Sequence, residues 1–252
     1  MTLLLDIGNT RVKWCLMEEG RPGSSHSLVH QGDPMRLVDD AAWRAVDNPG
    51  RVMLSSVLAR ERMALLSAWI EAHWGCAVQF VEAVPQAHGV INGYREAQRL
   101  GADRWAALIG AHHTFDGAVC IFDCGTALTV DVLGGDGRHH GGLIVPGLRA
   151  MGDALRQQAD ALRTIPEEMP EGDTLPFLAT DTPAAITWGA LHATVAFMER
   201  SMTAAEARLA CEITPVVTGG DAGSVLPWLA RPCQYRPELV LHGLAIMAGG
   251  TA

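Results

Sequence analysis

The chain carries the same short pattern twice, nearly half its length apart. In residues 3–14 an apolar run is interrupted by Gly-Asn-Thr and then resumes, and residues 118–133 repeat this pattern around Asp-Cys-Gly-Thr. An apolar run broken by a small polar turn is typical of a β-hairpin, in which Gly and Asn supply the positive φ angles of the turn. Because Asp6 and Asp123 hold equivalent positions, the repeat predicts a duplicated α/β unit.

Strand and helix patterns alternate along both copies, which favours an α/β fold with mixed sheets. The predicted boundary lies near Asp116, so that one half covers residues 1–117 and the other covers residues 118–252. Outside the hairpins, strands are predicted at 25–30, 51–57, 76–81, 141–145 and 214–218. Helical spacing of apolar residues predicts helices at 34–46, 59–73, 101–113, 183–210, 225–229 and 237–248, and one that starts at 146. The Pro- and Glu-rich stretch at 164–183 predicts a long loop.

The charge and the cysteine content exclude several classes of function. The net charge is −9 at pH 7, which provides no basic surface for nucleic acid and favours a small metabolite or nucleotide as the partner. The sequence shows neither a signal peptide nor an apolar run of about 20 residues, so we expect a cytoplasmic protein with no membrane contact. The six cysteines contain no Cys-x-x-Cys pair, so we expect reduced, mostly buried thiols.

The first turn has the residue types that phosphate binding requires. Backbone amides near Gly8, the Thr10 hydroxyl and the Lys13 ammonium would converge on one side of the turn, beside an Asp6 carboxylate that suits Mg²⁺. Lys13 is the only lysine in the chain, since every other basic side chain apart from histidine is arginine. These residues favour a nucleoside triphosphate as ligand, although an ordinary hairpin in which Asp6 caps the turn stays open.

Other motifs of phosphate and metal chemistry are less well supported. A Walker loop requires Gly-Lys-Ser/Thr, and the only lysine follows Val12. The Gly-Gly-Asp-Gly run at 134–137 is interpreted as a hairpin turn, because no helix pattern of the dinucleotide-binding type follows it. The pairs His112-His113 and His139-His140 are adjacent in sequence and point in different directions on a helix or strand, so we do not expect them to bind a metal.

Five motifs occur in one order over nearly the whole chain. They are Asp6-Ile-Gly-Asn-Thr-Arg-Val-Lys-Trp, Gly101-Ala-Asp-Arg-Trp, Asp123-Cys-Gly-Thr-Ala-Leu-Thr-Val-Asp, Gly142-Leu-Ile-Val-Pro-Gly and Thr218-Gly-Gly-Asp-Ala. Together they resemble the type III pantothenate kinases. The resemblance implies a duplicated ribonuclease H-like (actin-like ATPase) fold and a homodimer. It also implies ATP-dependent phosphorylation of the primary hydroxyl of pantothenate to 4′-phosphopantothenate, the first step of coenzyme A biosynthesis.

The resemblance also implies a role for individual residues. ATP binding falls on the first turn and on one residue of the second, namely Asp6, Ile7, Gly8, Asn9, Thr10, Arg11, Val12, Lys13 and Thr126. Pantothenate contacts fall on Tyr94, Gly101, Ala102, Asp103, Arg104 and Thr182. Asp103 corresponds to the catalytic base. Asp6 would hold Mg²⁺, directly or through water, and Asp123 would bind a monovalent cation, K⁺ or NH₄⁺.

Physical chemistry is consistent with these roles and leaves two other functions open. The planar guanidinium of Arg104 suits the substrate carboxylate, and phosphoryl transfer requires orientation of the hydroxyl more than early removal of its proton. A kinase of the same fold with another small acceptor is one alternative. A transcription accessory protein is the other, because some relatives are described in that way. The acidic charge and the lack of a helix-turn-helix pattern argue against direct DNA contact.

Overall fold

The computed structural model describes residues 1–158, 169–170 and 175–250. Its strands are β1 (Thr2–Ile7), β2 (Arg11–Glu18), β3 (Arg21–Pro22), β4 (His26–Val29), β5 (Arg51–Ser56), β6 (Val78–Phe80), β7 (Gln86–Ala87), β8 (Val90–Ile91), β9 (Ala118–Cys124), β10 (Ala127–Leu133), β11 (His139–Pro146), β12 (Ile213–Thr218) and β13 (Gln234–Tyr235). Its helices are α1 (Ala41–Arg44), α2 (Arg60–Trp74), α3 (Ala102–Thr114), α4 (Leu148–Gln158), α5 (Thr182–Leu209), α6 (Ala222–Val225) and α7 (Leu239–Met247). Short 3₁₀ helices lie at Pro34–Asp39, Ala97–Arg99 and Leu226–Trp228.

The first compact unit comprises Met1–Asp116, Gly135–His140 and Glu238–Ala252. Its main sheet has the order β3-β2-β1-β5-β6, with β4 also paired to β2. Strand β1 is antiparallel to β2 and parallel to β5, so the sheet is mixed. One face of the sheet packs into an apolar cluster that includes Trp14 and Trp43, both almost fully buried. This cluster gives the first hairpin a rigid base.

The second compact unit comprises Gly117–Gly134 and Gly141–Pro237. Its sheet has the order β11-β10-β9-β12-β13, in which β9 is antiparallel to β10 and parallel to β12. Alternate residues of β9, Cys120 and Phe122 among them, pack into an apolar cluster with α5. In both units the first hairpin strand, β1 or β9, therefore lies between an antiparallel partner and a parallel partner, as a duplication predicts.

Most predicted elements are confirmed, and the misses have local causes. Both hairpins form as predicted. The single helix predicted at 34–46 is wrong, because Asp40 is extended and caps a new helix by accepting hydrogen bonds from the amides of Ala42 and Trp43. A 3₁₀ helix therefore precedes α1. Much of the loop predicted at 164–183 lies outside the described residues.

The compact units differ from the predicted halves at two places, because Gly135–His140 and the C-terminal segment from Glu238 both belong to the first unit. The C-terminal helix α7 belongs to the first unit, although it follows the second half in sequence. It crosses α3 so closely that a Cβ on Gly110 would lie 2.6 Å from the Leu239 carbonyl oxygen. A glycine at this crossing lets the two helices approach each other. Among the described residues, no helix is long and apolar enough to cross a membrane.

Candidate active site

The first hairpin places two charged side chains side by side. Asp6 lies directly opposite Lys13 in the antiparallel register, and Ile7 lies opposite Val12. Directly opposed residues extend their side chains on the same face, so the carboxylate and the ammonium share one face of the sheet. The side chains of Ile7 and Val12 are buried in the apolar cluster on the other face. These two residues can therefore meet a ligand only through their backbone.

The turn between β1 and β2 is closed by a hydrogen bond from the Gly8 amide to the Arg11 carbonyl at 2.9 Å. Asn9 and Thr10 form the exposed tip. The positive φ angles predicted for this turn are wrong, because neither Gly8 nor Asn9 has a positive φ. Glycine is favoured at position 8 for its size instead, since a Cβ there would lie 3.2 Å from the Arg11 carbonyl oxygen.

Sequence reasoning missed Ser55, which lies next to Asp6 in the parallel register of β5. Ser55 is fully buried, and its Oγ has no hydrogen-bond partner in the part of the chain that the structure describes. A hydroxyl beside a carboxylate fits a hydrated Mg²⁺, which commonly keeps several waters and takes only one or two protein carboxylates. Within the described ranges, no group of three or more His, Cys, Asp or Glu side chains could hold a metal by itself.

A second group of candidate residues lies at the start of α3. Gly101 is the N-cap, and Asp103 lies in the first turn, where the helix dipole favours a negative charge. The Asp103 Oδ1 accepts a hydrogen bond from the Arg104 amide at 2.8 Å. A Cβ on Gly101 would lie 2.5 Å from the same oxygen, so a larger residue here would require the Asp103 carboxylate to shift.

Arg104 is the next residue and is almost fully buried, with 6% of its surface exposed. Its Nη1 donates to the Tyr94 hydroxyl at 2.8 Å, and its guanidinium carbon lies 5.5 Å from the centre of the Tyr94 ring. A planar guanidinium held in this way can bind an anion such as a carboxylate through two parallel hydrogen bonds. The structure thus brings Tyr94 and Arg104 into contact, and Asp103 lies next to Arg104 at the start of α3.

The loop that carries Tyr94 is held by two residues to which the sequence assigned no role in the site, Asn92 and His139. Asn92 accepts a hydrogen bond from the Tyr94 amide at 3.0 Å, and its own amide group donates to the Ala97 carbonyl at 3.2 Å. His139 is 1% exposed, and its ring stacks on Tyr94 with the centroids 5.9 Å apart. Its Nδ1 accepts a hydrogen bond from the Gly93 amide at 3.4 Å. His139 therefore positions Tyr94, and only the spatial contact reveals it.

The second hairpin is surrounded by glycine loops. The Gly147 amide donates to the Thr126 carbonyl at 2.9 Å, and a Cβ on Gly147 would collide with the Gly125 carbonyl oxygen. Gly219 has a φ of +94°, and a Cβ there would lie 2.5 Å from the Asp123 Oδ1. The Gly219 backbone therefore lies directly against the Asp123 carboxylate, and Gly147 lies against the turn that follows it. Carboxylate and carbonyl oxygens of this kind are the donors that hard cations prefer.

The rim of this second turn carries further charged groups. The Asp221 amide donates to the Cys124 carbonyl at 2.8 Å, and the Asp221 carboxylate pairs with Arg149 at 3.4 Å. Burial, followed by the nearby Asp123 and Asp221 carboxylates, raises the pKa of the Cys124 thiol. Cys124 therefore stays protonated and packs as a small apolar side chain, as we predicted.

The remaining predicted site residues are distributed over both compact units. Thr126 is exposed in the second turn, and Thr182 is the exposed first residue of α5, capped by Asp181. Both belong to the second unit. Ala102 begins α3, and Arg11 is exposed at the start of β2. The structure thus assembles one cluster around Asp6, one around Arg104 and one around Asp123.

Comparison with known proteins gives a consistent result. A family model described as type III pantothenate kinase matches residues 2–204. A protein from Nitrosococcus oceani named type III pantothenate kinase is 36% identical over 257 residues, with 100% of this chain and 95% of that protein covered.

Two solved structures support the fold. A protein from Campylobacter jejuni assigned to the Baf family of transcriptional activators has a TM-score of 0.60 at 18% identity and covers 98% of both chains. One from Sinorhizobium meliloti assigned as a 2-dehydro-3-deoxygalactonokinase has a TM-score of 0.59 at 13% identity, with 98% and 96% covered. At these identities the likeness concerns the fold alone. With the two mixed sheets, it identifies the duplicated α/β fold of the actin-like ATPases and sugar kinases.

Proposed function

The chain belongs to the type III pantothenate kinase family, and we propose how its residues divide the work of this reaction. The protein uses ATP to phosphorylate pantothenate in coenzyme A biosynthesis. We place the reaction in the cytoplasm, where ATP is supplied. One observation supports this assignment of roles above the others. At the start of α3 the Asp103 carboxylate, held by a backbone amide, is next in sequence to the buried guanidinium of Arg104.

Arg104 binds the carboxylate of pantothenate in this proposal. Its guanidinium is already desolvated and oriented by Tyr94, so little side-chain entropy is lost when an anion arrives. Tyr94 forms a wall of the same pocket and is supported from behind by His139. The backbone of Gly101 and Ala102 completes the pocket. A lysine at position 104 would be a poor substitute because it lacks the planar fork.

Asp103 orients the primary hydroxyl and accepts its proton. The amide of Arg104 holds the Asp103 Oδ1, which fixes the direction of the carboxylate relative to the substrate-binding guanidinium. In phosphoryl transfer the transition state is loose, so alignment of the attacking oxygen matters more than the strength of the base. Because Asp103 and Arg104 are adjacent, Arg104 both binds the pantothenate carboxylate and, through its amide, orients the Asp103 carboxylate that activates the pantothenate hydroxyl.

The first hairpin binds the triphosphate of ATP. Lys13 supplies a positive charge for phosphate oxygens, and the exposed tip at Asn9 and Thr10 supplies backbone and hydroxyl donors. Asp6, with Ser55 beside it, fits a hydrated Mg²⁺. When bound, that ion neutralises the charge that develops on the transferred phosphoryl group.

The second hairpin completes nucleotide binding through Thr126 and holds a monovalent cation at Asp123. The observation in favour is the close packing of Gly219 against the Asp123 carboxylate and the Cys124 carbonyl oxygen, which leaves no space for a side chain there. K⁺ and NH₄⁺ both suit such a set of oxygens.

A homodimer accounts for the exposed apolar surface of the second unit. Leu143 and Ile144 on the edge strand β11 are 53% and 60% exposed, and Phe177 and Leu178 are 82% and 75% exposed. Exposed apolar residues on and near an edge strand favour association with another chain. We propose that a second copy covers this surface. Thr182 is close to it in sequence and exposed, so it contacts pantothenate either in its own subunit or in the partner.

The change Asp103→Asn tests the catalytic assignment. It keeps the size of the side chain and removes the negative charge, so kcat should fall by about 10²- to 10⁴-fold. The Kd for ATP should stay within about twofold, because ATP is bound by other residues. The assay is steady-state turnover combined with calorimetric ATP titration.

Asp116→Asn is the matched control, since Asp116 is exposed and lies just beyond the other end of α3. It should leave kcat and ATP binding unchanged. Equal losses of ATP binding and turnover in Asp103→Asn would place the base elsewhere, and an unchanged kcat would remove Asp103 from catalysis.

A further inference from the structure

His30 is a buried polar residue for which the proposed function has no role. It follows β4, its side chain is 0% exposed, and it lies 22 residues away in sequence from the first turn. A histidine that is fully buried must have its ring nitrogens paired, or it would destabilise the fold. The partners of His30 therefore show what it does.

Both ring nitrogens are engaged, and the partners define the tautomer. The Gly32 amide donates to Nδ1 at 3.1 Å, so Nδ1 is the unprotonated acceptor. The proton of the neutral ring is then on Nε2, which donates to the Gly8 carbonyl at 3.0 Å. The bond from Gly32 depends on a loop with two consecutive left-handed residues, Gln31 at φ 53° and Gly32 at φ 87°. Such a loop persists only where surrounding contacts hold it.

The backbone of the same loop holds the other end of the turn. The amides of His30 and Gln31 both donate to the Thr10 carbonyl, at 2.9 and 3.2 Å. Two carbonyls of the turn, at Gly8 and Thr10, are thus bound by one short segment. The tip of the first hairpin is therefore braced from outside the hairpin itself.

We propose that His30 is the positioning residue for the phosphate-binding turn. In a planar trans peptide the carbonyl and the amide point in opposite directions. A Gly8 carbonyl held by the His30 Nε2–H therefore turns the Asn9 amide the other way, outward at the exposed tip. The ligand served by this orientation is the triphosphate of a nucleotide, so the inference rests on the role proposed for the hairpin.

Two amide substitutions separate the two ring bonds. In His30→Gln the terminal NH₂ group reaches the place of Nε2 and keeps the donor to Gly8. In His30→Asn the side-chain oxygen takes the place of Nδ1, keeps the acceptor for Gly32 and loses the donor to Gly8. We expect His30→Asn to raise the KM for ATP by about tenfold, the effect of one lost hydrogen bond, and His30→Gln by less than about threefold. The KM for pantothenate should not change in either variant.

The controls distinguish positioning from general stability. His73→Asn changes an exposed histidine at the end of α2 and should leave both KM values unchanged. A residue with only a structural role would lower the melting temperature and affect both substrates alike, and that outcome would overturn the proposal. An unchanged KM for ATP in His30→Asn would also overturn it.

A spectroscopic measurement keeps the test valid even if His30→Asn does not fold. In ¹⁵N-histidine spectra of the wild-type protein, His30 should show the Nε2–H tautomer, and its signal should shift when ATP is added. The Nδ1–H tautomer would overturn the inference. The variant Lys13→Ala, measured in parallel, distinguishes failure of the role proposed for His30 from failure of the nucleotide-binding role proposed for the hairpin. If it raises the KM for ATP while His30→Asn does not, only the role of His30 fails, and if neither raises it, the nucleotide role of the hairpin fails as well.

Discussion

The two hairpins share one sequence pattern, yet their turns are supported differently, the first by a histidine side chain and the second by glycine backbone. The first turn is held from outside by a side chain, with the Gly8 carbonyl bound to His30. In the second, glycine backbone packs directly against the turn, with Gly147 and Gly219 lying against the carbonyls of Gly125 and Cys124. A turn braced by a side chain can be altered by an isosteric change. A turn enclosed by glycine backbone leaves no space for any Cβ.

The difference fits the work proposed for each turn. In the proposal the first turn binds a phosphate chain that arrives and leaves in every cycle, and the tip of this turn at Asn9 and Thr10 is exposed. The second holds a carboxylate beside carbonyl oxygens, and a site for a small cation needs oxygens at fixed distances. Equivalent positions in a duplicated fold thus acquired different supports, because the neighbouring loops differ.

The largest expected effect comes from adding a methyl group to the glycine loops. Gly219→Ala and Gly147→Ala should each lower the free energy of unfolding by at least about 3 kcal/mol, because the new Cβ collides with a carbonyl oxygen. The equivalent change in the first turn, Gly8→Ala, should cost only about 1 kcal/mol, since its Cβ would lie 3.2 Å from the nearest atom. Denaturant unfolding followed by circular dichroism measures all three.

Gly223→Ala is the control for this series. A Cβ on Gly223 would meet nothing within 4 Å, and Gly223 lies in helix α6. The change should be neutral or stabilise the protein by up to about 1 kcal/mol. If Gly8→Ala proves as damaging as Gly219→Ala, the contrast between the two turns is wrong.

A smaller effect, on activity alone, is expected at the carboxylate of the second turn. Asp123→Asn removes the negative charge while keeping the size, so activation by K⁺ or NH₄⁺ should fall by at least about tenfold relative to the wild type. Titrations of kcat with KCl, with NaCl and choline chloride at matched ionic strength, measure this. An Asp123→Asn enzyme that still responds fully to K⁺ would place the cation elsewhere.

The smallest effect concerns buried thiols in the two hairpins, Cys15 in the first and Cys124 in the second. Burial raises the pKa of Cys15 in β2 to about 12, and burial also raises the pKa of Cys124 in β9. Both thiols should therefore stay protonated and unreactive as the pH rises from 7 to 9. Cys211, which is exposed, should be alkylated first by iodoacetamide. Peptide mass spectrometry gives the order, and early labelling of Cys124 would show that the second turn opens easily.

The sequence alone predicted the parts of the site that are local. The hairpins follow from apolar strands around a short polar turn. Gly101, Asp103 and Arg104 lie at the start of one helix, so they are close together because they are close in sequence. The prediction of positive φ at Gly8 failed because a turn closed by an ordinary hydrogen bond to Arg11 needs no left-handed residue. Similar turn residues can serve two backbone geometries.

The sequence therefore determined the family, the two hairpins and the motif at the start of α3, since these depend on residues that are neighbours along the chain. Only the tertiary structure decided what braces them. His30 reaches Gly8 across 22 residues and His139 reaches Gly93 across 46. It also decided that α7 packs on α3 in the first unit. Such contacts depend on how sheets and helices pack, and a buried histidine in a sequence looks the same whether it holds a turn or fills a core.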